Sequence, residues 1–212
     1  MRIPRRAGLV GAVGAAATAV GAASAPAQTP ECQPAGPVVH RGADLVVWTE
    51  DAPQAHVRYV GCRTATGQTF AVLDFDNDCV SPSGACDDVA PRVRRTLRAG
   101  RWLVLDVTNG ITGVLALTDV STGRTPRPSG YLAVEAPREI KLHANGTLAW
   151  IAPYVTKDFV RTRRLLVCDS RCRTAGGRAR LLARGKRLHG LRVGADRVSW
   201  RAGDRRRSVR VR

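Results

Sequence analysis

A seven-residue frame recurs along this chain, and it limits the fold more than any other feature. Gly42-Ala43-Asp44-Leu45-Val46-Val47-Trp48 returns as Gly194-Ala195-Asp196-Arg197-Val198-Ser199-Trp200 with five of seven residues identical. Ala144-Asn145-Gly146-Thr147-Leu148-Ala149-Trp150 fits the same frame, as does the looser Ala99-Gly100-Arg101-Trp102-Leu103-Val104-Leu105. Anchored at Trp48, Leu105, Trp150 and Trp200, the copies are 57, 45 and 50 residues apart. A unit of that length buries little by itself and must stack on its neighbours. A second motif, Cys62-Arg63-Thr64-Ala65-Thr66-Gly67-Gln68, matches Cys172-Arg173-Thr174-Ala175-Gly176-Gly177-Arg178.

Each unit reads as short strands. Runs such as 45–48, 56–61, 69–75, 102–107, 113–120, 131–134, 147–151, 164–168, 180–183 and 188–193 are rich in β-branched or aromatic residues and are separated by turn residues. The pairs Asn109-Gly110 and Asn145-Gly146 suit tight turns with positive φ. A hairpin is expected at the C-terminus, 197–201 turning at Gly203-Asp204 into 208–211. Helix signals are confined to Val89–Ala99. About fourteen strands in one all-β domain over residues 28–212 are expected.

A repeat of 40–50 residues with about four strands is the grammar of a propeller blade. His143-Ala144-Asn145-Gly146-Thr147-Leu148-Ala149-Trp150-Ile151, followed by Arg164-Leu165-Leu166-Val167-Cys168-Asp169, resembles the WD-like propeller repeat of Tol-type proteins, with the best match over 143–183. The resemblance implies a propeller-like array of about four short antiparallel sheets. In it, Val38–Arg41 would complete the two-stranded C-terminal unit. A β-sandwich, or an open stack of sheets, is the alternative.

Residues 1–27 read as a cleaved secretory signal. Arg2, Arg5 and Arg6 precede an uncharged stretch from Ala7 to Ala23, and small-x-small sites follow, with cleavage favoured after Ala27. No stretch of the mature chain is long and apolar enough to cross a membrane. All six cysteines, Cys32, Cys62, Cys79, Cys86, Cys168 and Cys172, lie beyond the signal, so an exported protein stapled by up to three disulfides is expected. Six cysteines allow 15 pairings. Short loops favour Cys79–Cys86 and Cys168–Cys172, leaving Cys32–Cys62. The rival is a zinc site from the last four, but their spacings do not form the usual paired knuckles.

The formal charge is +17, and arginine supplies nearly all of the base. It is polarised: residues 161–212 hold eighteen basic and three acidic residues, while 28–160 are nearly balanced. Arg205, Arg206, Arg207, Arg210 and Arg212 are the candidate contact residues for a polyanion. The bland alternative is a solvated arginine-rich surface that reflects coding bias. An aromatic stacking platform is missing, which argues against a reader of single-stranded nucleic acid.

Catalytic motifs are absent: there is no Gly-x-Ser-x-Gly elbow, zinc helix or phosphate-binding loop. A carboxylate pair drawn from Asp106, Asp119, Glu135 and Asp158 is the only route to a hydrolase. Asp74, Asp76 and Asp78 alternate like the start of a calcium loop without completing an EF-hand, so calcium is the one cofactor suggested. Of His40, His56, His143 and His189, three (His40, His143 and His189) precede the repeat's Trp strand, and they would form a functional cluster only if the fold gathers them. Asn145-Gly146-Thr147 matches a glycosylation sequon but is better explained as a turn. The expected function is an exported, non-enzymatic binding or scaffold module whose partner is an anionic cell-surface polymer or another exported protein; an extracytoplasmic hydrolase is the alternative.

Overall fold

The computed structural model describes residues 31–51, 57–75, 91–109, 112–125, 129–132, 136–156, 158–172 and 178–211. The expected signal, Cys79, Cys86, Asp76, Asp78, His56, Gly110, Glu135 and Arg212 lie outside them. The described chain is all-β, with four small antiparallel sheets that follow one another in sequence. The first holds β1 (Val38–Arg41), β2 (Leu45–Asp51), β3 (Val57–Arg63) and β4 (Gln68–Phe75). The second holds β5 (Arg92–Ala99), β6 (Trp102–Thr108), β7 (Thr112–Asp119) and β8 (Ser129–Leu132). The third holds β9 (Glu139–Leu142), β10 (Leu148–Val155), β11 (Arg161–Cys168) and β12 (Arg180–Gly185). The fourth has three strands, β13 (Leu188–Val193), β14 (Arg197–Ala202) and β15 (Arg205–Arg210). Within each sheet, strands adjacent in sequence are paired.

The four frame anchors all fall on the second strand of their sheet: Trp48 on β2, Leu105 on β6, Trp150 on β10 and Trp200 on β14. The turns that open the first and last copies close with the same bond, Gly42 N–H to Leu45 O and Gly194 N–H to Arg197 O, both 2.8 Å. In the third copy Asn145 organises the turn by accepting from Thr147 N–H at 2.9 Å, and Gly146 has the expected positive φ of 84°. The Asn145 amide meanwhile donates to Ala195 O at 2.6 Å, tying this turn to the one before β14. The turn reading of the sequon is the one the structure supports.

Successive side chains of a strand point to opposite faces, and here they feed two different cores. On β6, Leu103, Leu105 and Val107 pack against Leu45, Val47, Tyr59 and Leu73 of the first sheet. Trp102 and Val104 pack the other way, against Ile140, Leu148 and Trp150 of the third. On β10, Ala149 and Ile151 join Leu188, Leu191, Val198 and Trp200 of the fourth. Burial on both faces explains why β6 is apolar almost throughout instead of alternating. Polar ties reinforce the first two junctions: Arg63 donates to Val120 O and Ser121 O, both at 2.7 Å, and Arg95 donates to Pro137 O at 2.9 Å.

The anchors share a direction, each facing the sheet before its own. Leu105 packs on the first sheet, Trp150 on the second and Trp200 on the third. Trp48 has no preceding sheet and instead joins Val46, Val60 and Cys62 in a small outer cluster closed by Cys32. No apolar cluster of the described residues joins the fourth sheet to the first, so the sheets do not close on one another.

Two expected disulfides form, Cys32–Cys62 and Cys168–Cys172. The second removes half of the proposed zinc set. Three expectations are corrected. Val38–Arg41 pairs with β2 in the first sheet instead of completing the last. The one candidate for helix, Val89–Ala99, is strand where it is described, since Arg92–Ala99 is β5. Val93 and Leu97 have helical spacing, but a bulge between Val93 and Arg95 shifts the strand's parity, sending Val93 to the first core and Leu97 to the second. Finally, the two Cys-Arg-Thr-Ala segments are not equivalent, because Cys62 lies within β3 whereas Cys172 lies in the turn after β11.

Candidate polyanion-binding face

The fourth sheet has one covered face and one bare face. Residues directly opposite in an antiparallel pair share a face. Val198 and Trp200 are buried against the third sheet, so Arg197, Ser199 and Arg201 of β14 point outward. Their partners on β15 are Arg210, Ser208 and Arg206. On β13, His189 lies opposite Arg201 and Arg192 opposite Ser199. The outer face therefore presents five arginines, two serines and a histidine, and all of them but half-buried Ser199 are exposed.

No described carboxylate projects from that face. Asp196 and Asp204 sit in the flanking turns, and Asp196 lies 3.9 Å from Arg210 in an exposed ion pair. Arg197 donates to Ser208 Oγ at 3.1 Å. Elsewhere arginines are matched more closely: Arg58 with Asp74 at 2.9 Å, Arg98 with Asp44 at 2.6 Å, and Arg180 with Asp169 at 3.3 Å. Like charges directly opposite on a sheet oppose its stability, and this face holds two such pairs, Arg197–Arg210 and Arg201–Arg206.

A bulge between His189 and Arg192 shapes one end of the face. Gly190 there has φ of 64°, a conformation that glycine adopts without strain. The bulge is held from behind by Glu139 of β9, whose two carboxylate oxygens accept from Gly190 N–H at 2.9 Å and Leu191 N–H at 2.7 Å. In front of it lies a cleft of about 180 Å³ lined by Gly190, Arg192, Ser199, Trp200, Arg201 and Arg206.

The structure splits the sequence-chosen arginines. Arg206 and Arg210 belong to the outer face. Arg205 and Arg207 stand opposite Ala202 and Trp200 and take the other side of the pleat at the β15 edge. Sequence reasoning missed Arg192, Arg197 and Arg201. A signal for Arg197 was available, because its frame position carries Leu45 and Trp102 in the first two copies; Arg201 had none, since its counterparts are Thr49, Asp106 and Ile151.

Among the described residues the other candidates do not come together. Asp74 is engaged by Arg58, and among the described residues no three His, Cys, Asp or Glu side chains gather as a metal would need. His40 lies on β1, His143 in the turn before β10 and His189 on the outer face of β13, so the described histidines form no cluster. Burial first, and then the Arg98 charge, hold the His40 imidazole below its usual pKa, against a smaller opposing pull from Asp44. Asp119 faces Trp102, four residues along β6 from Asp106, which separates the two carboxylates by about 13 Å of strand. That exceeds the spacing of a glycosidase pair. Each has structural work: buried Asp106 lies 3.8 Å from Arg95, and Asp119 caps its turn by accepting from Ser121 N–H at 3.0 Å. Asp158 is exposed in the turn before β11.

No protein-family model matches this chain, and the searches of curated proteins and of solved structures give no match. No described helix is long and apolar enough to cross a membrane.

Proposed function

We propose that this chain is an exported, non-enzymatic binding module built on WD-like, propeller-type repeats, and that the outer face of its last sheet holds an anionic cell-surface polymer. The observation that carries this reading is the bare face itself: five arginines on adjacent strands with no carboxylate among them. Binding would gain through counterion release and Coulomb attraction, and would fall steeply with salt. Two disulfides and the leader-like N-terminus support an oxidising compartment. The shared direction of the frame anchors supports the repeat. Heparin serves as the test polymer. The full chain is expected to be retained on heparin at low salt, and a variant with Arg192, Arg197, Arg201, Arg206 and Arg210 all changed to Gln is expected to elute at much lower salt. Equal retention of the two would overturn the assignment.

A further inference from the structure

The five arginines are not equivalent. At one end of the face, Arg197 is tied to Ser208 and Arg210 is neutralised in part by Asp196. At the other end, the side chains of Arg192, Arg201 and Arg206 have no hydrogen-bond or ion-pair partner among the described residues, and all three residues line the cleft of about 180 Å³ at the β13 bulge. Ser199 lines the same cleft and supplies a hydroxyl. The bulge sets this geometry. It inserts Gly190 and Leu191 between the rungs His189–Arg201 and Arg192–Ser199, so Arg192 and Arg201 border one opening. The Arg201 stem runs about 3.8 Å from the point that a side chain on Gly190 would occupy. Glu139 accepts from both bulge amides and so fixes the shape of the bulge.

We propose that this cleft is a socket for one tetrahedral oxyanion ester, a sulfate or phosphate monoester carried on a glycan, and that it sets the position of the polymer on the face. The proposal rests on the polyanion reading above. Guanidinium groups bind oxyanions through two parallel N–H donors. A carboxylate offers two oxygens in a plane and is satisfied by one or two such forks. A sulfate or phosphate monoester offers three terminal oxygens in a tripod, which three arginines around one opening can share, with Ser199 as a further donor. Arg197 and Arg210, two residues beyond the Ser199–Ser208 rung and so about 7 Å further along the strands, would add charge without selecting the group. Glu139 is a positioning residue, acting through the bulge.

The test compares two double variants that remove the same charge, Arg192→Gln/Arg201→Gln in the socket and Arg197→Gln/Arg210→Gln at the far end. Affinities of the full chain are measured for end-labelled dextran sulfate, a phosphorylated dextran and polyglutamate, with thermal unfolding as a check that both variants fold. The socket variant is expected to lose at least tenfold more affinity than the far-end variant for the ester polymers, with the sulfated and phosphorylated arms deciding which ester is preferred. The two variants are expected to bind polyglutamate alike. Inorganic sulfate is expected to compete more strongly than chloride at equal ionic strength. Equal losses from the two variants would overturn the socket while leaving the face intact. Undiminished binding by both would overturn the face and the socket together. Glu139→Gln is expected to weaken binding of the sulfated polymer while leaving polyglutamate unchanged; an equal effect on both would remove Glu139 from the positioning role.

Discussion

The two ends of the stack solve the same problem in opposite ways. The first sheet turns Trp48 away from its neighbours, because every frame anchor faces the preceding sheet and the first has none. That apolar surface is sealed by the segment carrying Cys32, bonded to Cys62, while the indole N–H donates to Glu50 at 2.8 Å. Among the described residues the last sheet has no following neighbour, and its outer face carries no apolar surface to seal. The position before the anchor is Val47, Val104 and Ala149 in the first three copies, each packed on the next sheet, but Ser199 in the last. Its neighbours two residues either side are Arg197 and Arg201. One end is capped by covalent chemistry and apolar burial, the other by charge and water. Charge leaves a surface free to bind.

Substitutions at the two ends should separate these solutions. Trp48→Ala removes the centre of the sealed cluster and is expected to cost about 3–5 kcal/mol in denaturant unfolding, as large core truncations do. Loss of the staple in a Cys32→Ser/Cys62→Ser double variant is expected to cost about 3–4 kcal/mol, the closure entropy of a loop of 30 residues. A fall of less than 1 kcal/mol would show that the segment's packing alone seals the first sheet. Between these ends, Tyr59 is buried with its hydroxyl unpartnered, and burial pushes its pKa up to about 12. Because the unfolded tyrosine releases its proton near pH 10 while the folded one retains it, stability from this residue is full below pH 10 and falls between about pH 10 and 12, by roughly 2–3 kcal/mol. Tyr59→Phe is expected to abolish that alkaline loss with little cost at neutral pH. The smallest change is at the bare end. Arg206→Thr relieves the cross-strand repulsion with Arg201 and is expected to raise stability by about 0.2–1 kcal/mol while weakening polyanion retention. Reduced stability would mean that Arg206 supports the fold and would count against a functional origin of the charge.

Much of this was legible in the chain itself. The frame located the second strand of every sheet, because a turn closed by Gly or Asn followed by an apolar strand is specified within seven residues. The C-terminal hairpin and the Cys168–Cys172 disulfide followed from equally local signals, whereas Cys32–Cys62, 30 residues apart, was left as the remaining pair. Helical spacing in 89–99 misled because a single bulge reverses which side Val93 and Leu97 face, and a bulge depends on the partner strand. The N-terminal strand went to the wrong sheet because β1 and β2 are separated by only a short turn, and pairing across that turn outcompetes a long-range closure.

By itself, the sequence determined an all-β chain, its sharp turns, its local staple and the concentration of arginine in its last quarter, since these depend on side chains close together in the chain. Only the tertiary structure decided which arginines share a face. Pleat parity, strand register and the β13 bulge divide Arg206 and Arg210 from Arg205 and Arg207, and bring Arg192, Arg197 and Arg201 beside the first two. The reason is that a one-residue shift in register sends a side chain to the opposite side of a sheet, and register is set by pairing between strands.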